Sequence, residues 1–158
     1  MRNLITKTLI CFLFIGFIQI THLQTLKGQS NARIEKEIDS AFLNLIQAFE
    51  NFDITKIALT VDDRHKAGFI TNGVYYSQFD SLIDNIKAKN PGNIKQKITI
   101  QKKKITVLSD NIALVSAYGD TKIIVDAANA FSFNLFWSFV FEKINNEWKV
   151  IQSHQSPK

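Results

Sequence analysis

Outside the first 28 residues the sequence holds two histidines, His65 and His154, the side chains best able to take up and release a proton near neutral pH. His154 stands near the end of the last strand-like run, where a pocket mouth would lie. A neutral imidazole there would serve as a general base. The competing assignment is a structural histidine that packs beside Trp137 and donates one hydrogen bond. His65 follows Asp62 and Asp63, a spacing that permits a carboxylate–histidine pair but equally fits a solvated surface cluster. Asp53, Asp80 and Asp84 fall in or beside helical segments, where capping and solvation account for them. Proton transfer at carbon needs an acid and a base together, or one tuned group that serves twice, and the sequence shows no such pair side by side.

Other chemistries have less to work with. The two histidines are far apart, and Cys11 is the only cysteine, so no metal-ligand spacing is present and no metal is expected. There is no glycine-rich phosphate loop and no Gly-x-Ser-x-Gly nucleophile, and no cofactor is expected. Lys95, Lys97, Lys102, Lys103 and Lys104 resemble a nucleic-acid patch, but on alternating strands they point both ways, and no aromatic residues interleave to stack on bases. They are read as a solvated rim.

The chain opens with Arg2 and Lys7 and then an apolar run from Thr8 to Ile20, followed by a polar stretch with small residues at Gly28 and Ser30. This is the pattern of a signal peptide, and the run falls short of the roughly 20 apolar residues that span a membrane. Residues 1–28 are expected to be a signal peptide and residues 29–158 the domain, exported to a periplasmic or extracellular location. An uncleaved anchor is the alternative, since Leu4–Ile5 and Thr21–Leu23 extend the apolar character. Removing the segment takes away Arg2, Lys7 and Lys27 and no acid, so the formal charge falls from +5 to +2. A chain so near neutrality has no bulk electrostatic reason to bind nucleic acid or an anionic membrane. It also has no cysteine left, so the core must hold it together.

The elements that would position these residues follow from periodicity. Ile34, Ile38, Phe42, Leu45, Ile46 and Phe49 recur at helical spacing, predicting an amphipathic helix over 31–52. A second helix is expected at 54–61, a loop or short strand bend at 68–73, and a third helix after Ser77, whose hydroxyl with Asp80 has the capping-box arrangement. Phe79, Leu82, Ile83 and Ile86 would face inward. From Gly92 on, the period becomes two. Strands are expected from Ile98, over 112–125, over 131–144 with Phe131, Phe133, Leu135, Trp137, Phe139 and Phe141 on one face, and over 148–156. Three helices followed by four antiparallel strands predict an α+β domain, with its helices packed into a strongly curved sheet.

The order of these elements and the ending Phe139-Val-Phe-Glu-Lys-Ile-Asn-Asn-Glu-Trp-Lys-Val-Ile-Gln-Ser-His-Gln-Ser156 resemble the nuclear transport factor 2-like superfamily, and within it the SnoaL-like group. Trp148, Val150, His154 and Ser156 match the group's terminal strand. The stretch 68–82 resembles its loop into the third helix, and 108–115 its central hairpin. The resemblance implies a conical fold with a pocket between helices and sheet, in a superfamily that includes isomerases, cyclases, dehydratases and scaffolding domains. In the related association domain of calcium/calmodulin-dependent kinase, arginines line the pocket at positions matching Ser116, Phe139 and Gln155. None is arginine here, which argues against a carboxylate pocket of that kind.

The expected pocket is lined by Trp137 and Phe139, with Tyr76, Tyr118 and Ser116, and would take a small, largely apolar molecule. Gln152 and His154 would meet its polar end. Which residues of the last strand face inward depends on the turn at Asn145-Asn146. A two-residue turn without a bulge pairs Trp137 with His154, whereas one extra residue turns Ser153 and Gln155 inward. Binding without chemistry is the leading expectation. The alternatives are an isomerase- or dehydratase-like enzyme that uses His154, with Gln152 or a tyrosine hydroxyl on the oxyanion, and a partner-binding homodimer with a filled cone. Phe136 and Val140, apolar residues on the opposite face of the same strand, are expected to support a homodimer.

Overall fold

The computed structural model describes residues 28–89, 94–125 and 129–158, so the expected signal peptide lies almost wholly outside the described residues. The chain divides into two compact units, Met1–Ile34 and Glu35–Lys158. Within the first unit, residues 28–34 are helical. They begin helix α1, residues 28–50, of which 35–50 belong to the second unit. Among the described residues no helix is long and apolar enough to cross a membrane.

In the second unit α1 buries Ile38, Phe42, Leu45 and Ile46 of the stripe its periodicity predicts, and Ala48 beside them, while Phe49 is half-buried. Phe42 meets Phe139 of the sheet edge-on, with centroids 6.0 Å apart. Polar residues at the border of the stripe fix where the helix lies. Glu37 accepts from Lys143 Nζ at 2.8 Å and from Trp148 Nε1 at 2.9 Å. Asp39 pairs with Lys103, and Glu50 accepts the Ile98 N–H at 2.7 Å. The four anchor points thus lie on three different strands. The helix ends where Phe52 adopts φ 49°, and the Asp53 side chain then caps α2, Ile54–Leu59, by accepting the Lys56 N–H.

Six strands follow where four were expected. β1, Phe69–Thr71, and β2, Val74–Tyr76, form a hairpin in and just past the stretch 68–73 read as a loop or short strand bend, turning on Asn72 and Gly73. Both turn residues have positive φ, 51° and 76°, the conformation a two-residue hairpin with the right twist requires. Helix α3, Phe79–Lys89, starts here. Its Phe79 N–H donates to Asp63 Oδ2 at 3.0 Å. The long strands β3, Lys95–Ser109, β4, Ile112–Ile124, β5, Ala130–Ile144, and β6, Glu147–Pro157, complete a sheet of order β2-β1-β6-β5-β4-β3.

β4 and β5 are antiparallel neighbours, as the alternation implied, but β1 runs parallel to β6, so the sheet is mixed. Each strand of the small hairpin has three residues, too short to show a period, and its sheet partner comes from the opposite end of the chain. Curvature enters at irregularities. β3 carries an extra residue, Gln101, beside Gly119 of β4. A Cβ on Gly119 would stand 2.3 Å from the Thr99 carbonyl oxygen, so the bent strands approach this closely only because glycine is there.

Candidate functional site

Exposure along the inner face of β5 locates an opening. Phe131 is 56% exposed, Leu135, Trp137 and Phe139 are nearly buried, and Phe141 is 1% exposed. The concave side of the sheet is therefore open at the Phe131 end and filled at the Phe141 end, where Phe42, Ile57 and Val150 complete the core. Between the ends lies a cavity of about 490 Å³, walled by β5, the second half of α1, the β1–β2 hairpin and α3. That volume falls in the range of small-molecule sites.

Trp137, Phe139 and Tyr76 line this cavity. Gln152, His154, Tyr118 and Ser116 do not, and one residue accounts for the correction on β6. Asn145 and Asn146 do form the two-residue turn, with φ 50° and 66°, and Lys143 pairs with Trp148. Past that point Phe141 pairs with Val150 and Val140 with Gln152, which leaves Ile151 as an extra residue. Beyond the bulge every side chain of β6 changes face. Ser153 and Gln155 thereby enter the cavity opposite Phe139 and Trp137, and His154 pairs with Ser138 on the outer face, exposed. A trace of this was in the sequence: Val150 and Ile151 are adjacent apolar residues that interrupt strict alternation.

Tyr118 and Ser116 also belong to the outer face. Tyr118 stacks on Phe136, with centroids 4.9 Å apart, and Ser116 pairs with Ser138. Their inward neighbours on β4 are small, Val115, Ala117 and Gly119, which gives the cavity and α1 their room.

The polar residues of the described lining are Thr71, Asn72, Tyr76, Asn85, Gln96, Ser153 and Gln155, together with Lys89. Gln96 is already committed to the Phe49 carbonyl. Among the described residues that line the cavity there is no carboxylate and no imidazole. No group of three His, Cys, Asp or Glu side chains among the described residues could hold a metal ion.

The acidic and basic cluster at 62–66 lies elsewhere and is largely committed, although Asp63 Oδ1 is buried without a hydrogen-bond partner among the described residues. Asp62 accepts from the Arg64 guanidinium at 2.8 Å through both oxygens, and these hydrogen bonds hold its carboxyl down at about 2. Asp63 holds the start of α3. His65 meets neither of the aspartates considered as its partner and instead contacts Glu142 at 2.6 Å. The cluster fastens the loop before β1 to the sheet.

Residues 35–158 match the family of the calcium/calmodulin-dependent protein kinase II association domain. Solved structures with the same fold include a nuclear transport factor 2-like superfamily protein from Salmonella enterica, with TM-score 0.70 and 17% identity over 80% of this chain and 92% of that one. The association domain of the Caenorhabditis elegans kinase has TM-score 0.67 and 16% identity, over 81% and 98%. A proposed dehydratase of the nuclear transport factor 2-like family from Streptomyces avermitilis has TM-score 0.69 and 13% identity, over 78% and 94%. Identities this low carry the fold and nothing further. No curated protein matches by sequence.

Proposed function

The chain belongs to the calcium/calmodulin-dependent protein kinase II association-domain family, and from that premise we propose that it holds a small, largely apolar ligand in its cavity without transforming it. The observation that carries this reading is the composition of the wall. Aromatic and aliphatic side chains surround about 490 Å³, and the described lining offers hydrogen bonds from Ser153 and Gln155 but no acid–base pair. The ligand lies against Trp137 and Phe139, with Ser153 and Gln155 as its polar partners. The isomerase- or dehydratase-like alternative loses the group it depended on, because His154 is across the sheet from the cavity.

The test is a ligand-dependent thermal shift in a screen of small apolar compounds. Ser153→Phe, which fills the bore, abolishes the shift for any hit, whereas His154→Ala leaves it unchanged. The reverse order would move the site to the outer face.

A second observation favours self-association. Phe136 is 43% exposed and stacked on Tyr118, with Val140 beside them on the outer face of β5. A relative of the same fold is an association domain. We propose a homodimer formed across this face, so Phe136→Lys should halve the mass measured by light scattering at high concentration. Export, proposed from Arg2, Lys7 and the apolar run after them, predicts that the mature protein isolated outside the cytoplasm begins after Gly28 or Ser30.

A further inference from the structure

The cavity has a length as well as a volume. Its wall on β5 runs from Phe131 to Phe139, about 26 Å of extended chain. A cavity of about 490 Å³ that runs this length is long relative to its width, and suits an extended chain better than a compact molecule. The gradient of exposure along the same residues makes one end of the bore closed and the other open.

Charge is placed at one end only. Lys89, exposed in the last turn of α3, is the charged side chain among the described lining residues. α3 begins at Phe79, which packs 5.1 Å from Phe69 in the buried region, and runs outward, so its last turn is at the open end. Several other lysines are already paired, Lys97 with Glu50, Lys103 with Asp39 and Lys143 with Glu37. Lys89 has no such partner among the described residues. A cation at the mouth of an apolar bore, without a counter-charge among the described residues, selects an anion whose uncharged remainder fits the bore.

Resting on the binding reading above, we propose that the cavity takes a single-chain anionic amphiphile, tail first, with its acidic head at Lys89. Ser153 and Gln155, farther in, favour a chain that carries an oxygen partway along its length.

Isothermal titration calorimetry on the full domain, residues 29–158, tests this with compounds kept below their aggregation thresholds. Sodium palmitate and hexadecyl phosphate should bind, hexadecanol about fivefold more weakly, and hexadecyltrimethylammonium more weakly still. Lys89→Glu, at an exposed position that carries no packing, should invert the order of palmitate and the trimethylammonium compound. Equal binding of palmitate and hexadecanol, or an unchanged order in Lys89→Glu, would overturn the anionic head. Binding of 1-naphthol without any binding of the sixteen-carbon compounds would overturn the chain shape and leave the binding reading intact. If none of the chains binds, nor 1-naphthol, nor the apolar dye N-phenyl-1-naphthylamine, the binding reading falls with it.

Discussion

Phe131 and Phe141 are the same residue type on the same face of the same strand, yet one is 56% exposed and the other 1%. Their difference comes from what lies opposite. Phe141 faces the α1 residues that fill the concave side and the loop that Val150 ties down, with Val150 N–H donating to the Thr60 carbonyl and accepting from Asp62 N–H through its own. Phe131 faces the cavity mouth. One end of the strand is core and the other is site, and the alternation of residues along it is identical. A period of two tells which face a side chain takes, and only the covering elements tell how deep it sits.

The largest effect should come from the core end. Phe141→Ala removes a fully buried ring and should cost about 3–5 kcal/mol in urea unfolding. Phe131→Ala should change stability by less than about 0.5 kcal/mol while lowering affinity for any cavity ligand. Comparable stability losses at the two positions would mean that the mouth is packed shut, and the distinction between core and site would fail.

A smaller effect tests the wall between them. Thr121, 1% exposed on β4 between Ile98 and Phe133, has a buried hydroxyl without a hydrogen-bond partner among the described residues. Thr121→Val keeps the shape and removes that hydroxyl, so it should stabilise the domain by about 1 kcal/mol. A loss instead would show that the hydroxyl is satisfied in solution, by water entering from the cavity side.

What the sequence disclosed divides along the same line. Helix α1, the face of β5 and the pairing of β4 with β5 were legible, because long amphipathic runs carry their own period. Trp137 and Phe139 face the cavity for that reason, whereas Tyr76 reaches it from the three-residue β2, which has no period to read. His154 and Gln152 were aimed outward by a single added residue, Ile151, whose presence in the register depends on the loop that docks on Val150. Ser116 and Tyr118 were assigned inward, although the small residues that alternate with them, Ala117 above all, mark the face on which the helix needs room. The β1–β2 hairpin and the contact of His65 with Glu142 join residues distant in sequence, which no local pattern reports.

The smallest expected effect separates ionic from apolar support at the core end. Asp62 is pinned through its backbone to Val150, the partner of Phe141, and through its carboxylate to Arg64. The Arg64 hydrogen bonds lower the carboxyl from the ordinary 3.8 to about 2. A carboxyl that is more acidic folded than unfolded adds stability above its unfolded value, and that stability is lost as pH falls through the folded one. The gain should therefore be complete above about pH 5 and gone by about pH 1. Arg64 is 54% exposed, and solvent screening keeps the contribution of the pair under about 1 kcal/mol. Urea unfolding of Asp62→Asn should then show a deficit of that size at pH 7, shrinking from about pH 5 downward until it merges with the unaltered protein. The Phe141→Ala deficit contains no titrating group and should be the same across that range. A deficit in Asp62→Asn that persisted at the lowest pH at which both proteins remain folded would assign the support at this end to the geometry of the loop and not to its charge.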